Sequence, residues 1–149
     1  MKRQIRTHAC CVFRDNGSIL VTEKFDPRKN ECTYAPMGGA VLFGEYSHET
    51  IEREVRKCIG AEITNIQYTG TLENIFTEGG EHVHEITLIY EGCFLDAELH
   101  RKGHIDGTNN NHPCKVVWMP LDTFQPGVME LHPKGLYTLL HKLTKEAVY

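Results

Sequence analysis

The chain has 149 residues, of which 40% are hydrophobic and 24% charged, and its formal net charge is −4. This composition predicts one globular domain over residues 1–149. The acidic balance argues against a general binder of nucleic acids or anionic membranes, and no apolar run approaches the ~20 residues that span a bilayer.

The first third of the chain predicts short strands joined by turns. Residues 5–13 are mostly apolar and predict a strand, and Asp15-Asn16-Gly17 is a strong hairpin signal. Residues 18–24 then predict the returning strand, residues 25–31 a charged loop, and residues 32–35 a short strand. The basic N-terminus has no apolar signal segment after it, so we expect a cytoplasmic protein.

Residues 34–63 predict a glycine turn, one helix and the start of a further strand. Gly38 and Gly39 allow a tight turn or the close approach of a ligand. Ser47 is a suitable helix N-cap, and Gly60 falls where a left-handed residue ends a helix. The buried stripe of this helix consists of Ile51, Val55, Cys58 and Ile59.

The second half predicts more strands and a final helix. Residues 62–71 and 72–77 look extended with a break near Gly70, residues 78–81 form a turn, and residues 83–94 alternate as a long strand. Residues 99–112 are polar and rich in Gly and Asn, which predicts a mobile loop before a strand at 115–119. An amphipathic helix is predicted from Pro133, and its buried positions are Leu136, Leu139, Leu140 and Leu143.

These elements predict an α+β fold in three layers. A mixed sheet lies between the helix of residues 47–59 on one face and the C-terminal helix on the other, as an α/β/α sandwich. The six cysteines form no CxxC pair, which favours reduced, packed thiols over a zinc site.

The segment around the first helix resembles the Nudix box. That pattern runs Gly, five residues, Glu, seven residues, Arg-Glu, an aliphatic residue, any residue, Glu-Glu, any residue, Gly and an aliphatic residue. The chain matches it at Gly39, Glu45, Arg53, Glu54, Val55, Gly60 and Ala61. Residues 73–91 are similar to a stretch in one bacterial Nudix subgroup, so the likeness covers most of residues 5–143.

Two positions depart from the box, because Lys57 and Cys58 stand where the pattern has Glu-Glu. Positions 54, 57 and 58 share one helix face. The resemblance implies that this face gathers Mg²⁺ or Mn²⁺ against a pyrophosphate, and hard cations want several oxygen ligands. Glu54 keeps one of the three, so we expect a weakened metal site.

The resemblance also assigns roles to individual residues. It implies Glu54 as metal ligand and catalytic carboxylate, the Gly39 carbonyl and Glu85 as further ligands, and a structural Glu45–Arg53 ion pair. We expect Lys24 or Lys57 on phosphate, and Tyr34 is a candidate for stacking on a base. Without the resemblance, each residue has an ordinary structural explanation. Glu54 is then a surface glutamate, Gly39 part of a tight turn, Glu85 an outward strand residue, Lys57 a solvated lysine and Tyr34 a packed tyrosine.

The predicted function is a metal-dependent, slow hydrolase of a small nucleotide that carries a diphosphate linked to another group. One alternative is a Nudix-fold module that binds or senses nucleotides without turnover, which the Lys57-Cys58 replacement favours. A weaker alternative is an enzyme whose metal ligands come from elsewhere. From the resemblance we also expect that the chain can form a homodimer.

Overall fold

The computed structural model describes residues 3–100, 103–109 and 111–146. Eight strands, two α-helices and two 3-10 helices form within them. In chain order they are β1 (Ile5–Asp15), β2 (Ser18–Asp26), β3 (Glu31–Ala35), β4 (Met37–Ala40), α1 (Ser47–Ile59), β5 (Ile63–Glu78), β6 (Glu81–Phe94), η1 (Ala97–His100), β7 (His104–Asn109), β8 (His112–Pro120), η2 (Leu121–Phe124) and α2 (Leu136–Glu146). No helix among the described residues is long and apolar enough to cross a membrane.

The strands make one mixed sheet with the order β5-β6-β1-β2-β8-β7. β1 runs parallel to β6, and its other edge pairs antiparallel with β4 and, near its end, with β2. The predicted turn is confirmed, because Asn16 and Gly17 have positive φ between β1 and β2. β3 pairs with the outer part of β2. β1 and β2 therefore diverge after their turn, and the β3–β4 segment fills the gap between them.

Each face of the sheet buries its own apolar layer. Alternate β1 residues face opposite sides, so Cys11 packs toward α1 and Val12 toward α2. The α1 layer contains Ile51 and Val55, and the α2 layer contains the following leucines: Leu121, Leu131, Leu136 and Leu140. Burying each such side chain stabilises the fold by roughly 1.5–3 kcal/mol. The predicted α+β sandwich of three layers is confirmed.

The first helix begins one residue earlier than the predicted cap implies. Tyr46 is the N-cap, and its backbone N–H donates to the Glu49 carboxylate at 2.9 Å. Ser47 lies inside the helix, where its hydroxyl contacts the Tyr90 hydroxyl instead. At the other end, Gly60 has a φ of 68° and donates its N–H to the Arg56 carbonyl, as predicted.

The second half contains one strand that the sequence pattern does not reveal. The prediction of a mobile loop over residues 99–112 is wrong for the described part, because β7 pairs with β8 along its whole length. β7 is an edge strand with only Ile105 buried, so it shows no apolar alternation. Residues 101, 102 and 110 of the predicted loop lie outside the described residues.

Candidate functional site

The loop before α1 is fastened to the helix by one arginine. Arg53 Nε lies 2.9 Å from Glu45 Oε2, and Arg53 Nη2 donates to the Ala40 carbonyl at 3.0 Å. The Arg53 hydrogen bond, followed by one from the Thr50 hydroxyl, lowers the pKa of Glu45 to about 2. The ion pair expected for Glu45 and Arg53 is therefore present, and it fixes the chain between β4 and α1.

Glu54 lies directly against Gly39, the second glycine of the pair that precedes the loop. A Cβ atom at position 39 would come within 2.5 Å of Glu54 Oε1, so only glycine leaves room for this carboxylate. Arg53 Nη1 donates to the same oxygen at 2.8 Å, and the Glu54 side chain is 19% exposed. Gly38 instead allows close approach of β4 to β1, because a Cβ there would lie 2.2 Å from the Ala9 carbonyl oxygen of β1.

The carboxylate of Glu54 opens onto a cleft of about 470 Å³. One wall is the second half of α1, and the facing wall is the hairpin of β7 and β8. The outer part of β2 and the segment from Pro36 to Gly38 complete the lining. Three lysines from three different elements line this cleft: Lys24, Lys57 and Lys115.

The charges in the cleft favour an anionic ligand. Besides the three lysines, Glu23 and Glu54 line it. Each of these carboxylates already accepts a hydrogen bond, Glu23 from the Tyr34 hydroxyl at 3.0 Å and Glu54 from Arg53. Alternation along β8 directs the Lys115 side chain to the α2 side with Glu23, so Lys24 and Lys57 are the lysines on the side of Glu54. Ammonium groups beside one cleft form a natural site for phosphate oxygens.

Tyr34 does not line the cleft, which corrects the expectation that it stacks on a base. The residue is 5% exposed, and its ring packs edge-on against Phe124 in the α2 layer. Burial, with the hydrogen bond to Glu23, raises the pKa of Tyr34 to about 12. The aromatic side chain that does line the cleft is Phe25, which is 55% exposed.

Glu85 is not brought together with Glu54. It lies on the β6 face that packs toward α2, whereas Leu88 and Tyr90 face α1. There the carboxylate pairs with Arg6 Nε at 2.5 Å and accepts a hydrogen bond from the Thr87 hydroxyl at 3.2 Å. The expectation of a shared metal site with Glu54 is therefore corrected: the sheet separates the two side chains.

The two residues that depart from the box both line the cleft. Lys57 is one of its lining residues, and the Lys57 backbone carbonyl accepts a hydrogen bond from Thr108 of β7 at 3.3 Å. Cys58 is half-buried, and its Sγ lies 3.8 Å from Cys114 Sγ of β8. Burial, with the neighbouring Cys114, raises the pKa of Cys58 to about 12, so its thiol stays protonated at neutral pH.

This donor set does not fit a magnesium or manganese ion. Glu54 offers the one carboxylate on the α1 face, beside a lysine ammonium and a protonated thiol, whereas these ions require several oxygen ligands. Within the described ranges, no group of three or more His, Cys, Asp and Glu side chains is placed to hold a metal. Of the ligand set expected from Glu54, the Gly39 carbonyl and Glu85, the structure keeps Glu85 on the other side of the sheet.

The hairpin wall is the part of the site that sequence reasoning missed. Lys115, Cys114, His112 and Thr108 all line the cleft from β7 and β8. A polar stretch without alternation gave no reason to place them opposite α1.

A mixed sheet between two helices, with a glycine turn and an arginine-bearing helix beside a cleft, defines the Nudix class of fold. The NUDIX domain profile matches residues 2–140, so this chain belongs to the NUDIX family. Nudix hydrolases generally use divalent metal ions. Family and fold together support a nucleoside diphosphate hydrolase in general.

Solved structures show the same fold at low sequence identity. A MutT NUDIX hydrolase from Burkholderia pseudomallei has a TM-score of 0.66 at 18% identity, covering 91% of this chain and 96% of that one. The MutT protein from Methanosarcina mazei Go1 has a TM-score of 0.67 at 16% identity, covering 100% and 99%. An ADP compounds hydrolase has a TM-score of 0.69 at 12% identity, covering 99% and 77%. Comparison with curated proteins gives no match.

Proposed function

We propose that this chain binds a nucleoside diphosphate linked to a further group and hydrolyses its pyrophosphate bond. The observation that carries the proposal is that Lys24 and Lys57 line the cleft that also contains Glu54. A diphosphate carries several anionic oxygens, which these two ammonium groups can neutralise. Small nucleotides are the substrates that the family favours, and the cleft volume of about 470 Å³ suits a ligand of that size.

Glu54 performs the proton transfer in this proposal. Arg53 and the surface of Gly39 hold its carboxylate in one position. A water molecule beside it loses a proton to the carboxylate while its oxygen attacks phosphorus, and the bond to the bridging oxygen breaks. The lysines stabilise the negative charge that collects on the departing phosphate.

The reaction is expected to be slow. A lysine ammonium stabilises charge but does not lower the pKa of a bound water as a metal ion does. Because the α1 face carries Lys57 and Cys58 where the box has glutamates, no step of this mechanism passes through a metal. We therefore expect weak turnover whose rate depends little on added magnesium.

The second candidate is a nucleotide-binding module without turnover. The same replacement of two oxygen ligands favours it, since the lysines bind a diphosphate whether or not water attacks it. The two candidates share a binding site and differ in the role of Glu54, which is essential for hydrolysis and neutral or unfavourable for binding an anion.

One set of assays separates the candidates. Hydrolysis and binding of ADP-ribose, NADH, nucleoside triphosphates and diadenosine polyphosphates are measured with Mg²⁺, Mn²⁺ or a chelator. We expect slow hydrolysis of at least one compound and a loss of about 100- to 10,000-fold in Glu54→Gln, with binding retained. Glu52→Gln, which alters a more exposed residue on the same helix, is the matched control.

Two outcomes would contradict the hydrolase. Binding of a nucleotide without turnover at any metal concentration assigns the chain to the binding module. Turnover that is unchanged in Glu54→Gln removes Glu54 from the mechanism and leaves the weaker alternative, an enzyme with ligands elsewhere.

A further inference from the structure

Two cysteine sulfurs from distant parts of the chain meet on the wall of the cleft. Cys58 belongs to α1 and Cys114 to β8, and their Sγ atoms are 3.8 Å apart. Both residues are partly buried and both line the cleft. The contact therefore joins the helix that bears Glu54 to the hairpin that bears Lys115.

The hairpin is pressed closely against this end of the helix. Gly107 of β7 is the strand partner of Cys114, and a Cβ at Gly107 would lie 3.1 Å from Cys58 Sγ and 3.0 Å from the Cys58 carbonyl oxygen. The hydrogen bond from Thr108 to the Lys57 carbonyl holds the same junction. A disulfide requires an S–S distance of about 2.05 Å, so the two sulfurs must approach by about 1.8 Å.

Other thiols in the chain are placed differently. Cys10 and Cys11 are adjacent in β1, point to opposite faces of the sheet and are buried. Cys93 is exposed on β6. Cys93 is thus the thiol that nonselective oxidation reaches first, and it provides a natural control.

We propose that Cys58 and Cys114 form a redox-responsive pair that an oxidant of the peroxide class converts to a disulfide across the cleft wall. Peroxide oxidises one thiol of the pair to a sulfenic acid and is itself reduced to water. The sulfur of the other cysteine then attacks this sulfur, the S–S bond forms, and the hydroxyl leaves as a second water with the proton of the attacking thiol.

The disulfide acts on the site that the proposed function assigns, and this regulatory part rests on that function. Lys57 immediately precedes Cys58, and Lys115 immediately follows Cys114. Drawing the sulfurs together moves the last turn of α1 and the start of β8 toward each other and displaces Lys57. Because losing one hydrogen bond to a charged group weakens binding by about tenfold or more, we expect oxidation to weaken nucleotide binding by at least about tenfold.

The crosslink is tested first, without reference to activity. The reduced full chain is treated with hydrogen peroxide, its remaining thiols are blocked, and the peptides are mapped by mass spectrometry without reduction. We expect a Cys58–Cys114 peptide pair lighter by two hydrogens, and a sulfenic acid trapped by dimedone on Cys114 in the Cys58→Ser variant. Oxidation confined to Cys93, with the pair still reduced, would overturn the inference.

The effect on the cleft is tested by the binding of ADP and ADP-ribose before and after oxidation. Wild type and Cys93→Ser should lose at least about tenfold in affinity and recover it with dithiothreitol, whereas Cys58→Ser and Cys114→Ser, which cannot form the crosslink, should lose clearly less. Equal affinity in the oxidised and reduced wild type overturns the regulation. If the reduced chain binds neither compound, the proposed function fails, and the mapped crosslink still decides whether the thiol pair exists.

Discussion

Lys57 places an ammonium group on the helix face where the box pattern has a carboxylate. The change reverses the sign of one charge beside Glu54, and it lies in a cleft that two further lysines line. A carboxylate at this position attracts a cation, whereas an ammonium group attracts the phosphate oxygens directly. At the scale of single residues, the cleft is therefore suited to the anionic part of a nucleotide more than to a metal ion.

Gly39→Ala should reduce hydrolysis without much change in stability. The added methyl group meets the end of the Glu54 side chain, which moves away from its present position. We expect the hydrolysis rate to fall by about ten- to a hundredfold, measured as kcat at saturating substrate. Gly103→Ala is the matched control, because a Cβ there meets nothing within 4 Å. An unchanged rate in Gly39→Ala would show that the position of the carboxylate does not matter.

Gly38→Ala should reduce stability rather than the rate of hydrolysis. Its Cβ would collide with the backbone of β1, which cannot move aside as a side chain can. We expect the free energy of unfolding to fall by about 2–3 kcal/mol in urea denaturation. A loss of activity at full stability in this variant would contradict the separation of the two glycine roles.

At the scale of elements, some parts of the site follow from the sequence and others do not. The spacing of Gly39, Glu45, Arg53 and Glu54 predicts the loop-to-helix unit, because these contacts form within a short segment. The hairpin of β7 and β8 could not be predicted, since an edge strand is held by backbone hydrogen bonds and carries mostly polar side chains. The resemblance suggests Glu85 as a ligand, but alternation along β6 gives two faces and does not say which one meets α1, and Glu85 lies on the other.

The ion pair between Glu45 and Arg53 should make stability depend on pH. The folded state lowers the pKa of Glu45 from 4.5 to about 2, so the stabilisation is present above pH 4.5 and is lost as pH falls toward 2. The free energy of unfolding of Glu45→Gln should therefore vary less over this window than that of wild type, in urea titrations at each pH. If the free energies of unfolding of the two proteins change with pH in parallel, the ion pair does not contribute to the acid sensitivity.

Restoring the box glutamates should restore a metal site. In Lys57→Glu/Cys58→Glu, three carboxylates share one face of α1, and we expect hydrolysis with Mg²⁺ to rise at least about tenfold. Position 58 is close to Gly107 and Cys114, so the melting temperature is measured in parallel. Lys57→Gln/Cys58→Ser removes the same groups without adding carboxylates and should show no gain. A loss of magnesium-dependent activity in a folded double glutamate variant would contradict this interpretation of the helix face.

At the scale of the whole molecule, the sheet separates the α2 layer from the cleft in which we propose that hydrolysis takes place. The cleft lies beside α1, whereas α2 packs against the opposite face through Leu136 and Leu140, both fully buried. The proposed substrate contacts come from α1, β2 and the β7–β8 hairpin. The α2 layer contributes packing energy and, within the part of the chain that the structure describes, places no side chain among the residues that line the cleft.

Leu140→Ala tests this separation. Removing a fully buried leucine leaves a cavity in the α2 layer, so we expect the free energy of unfolding to fall by about 2–5 kcal/mol in one cooperative transition. Below the melting temperature, kcat/KM should stay within about twofold of wild type, because the cavity lies across the sheet from Glu54 and the lysines. Leu95→Ala, at a position that is 72% exposed, should change stability by no more than about 0.5 kcal/mol. Two separate unfolding transitions would show that the chain does not unfold as one domain. A large loss of kcat/KM in folded Leu140→Ala would show that the α2 layer and the cleft are not independent of each other.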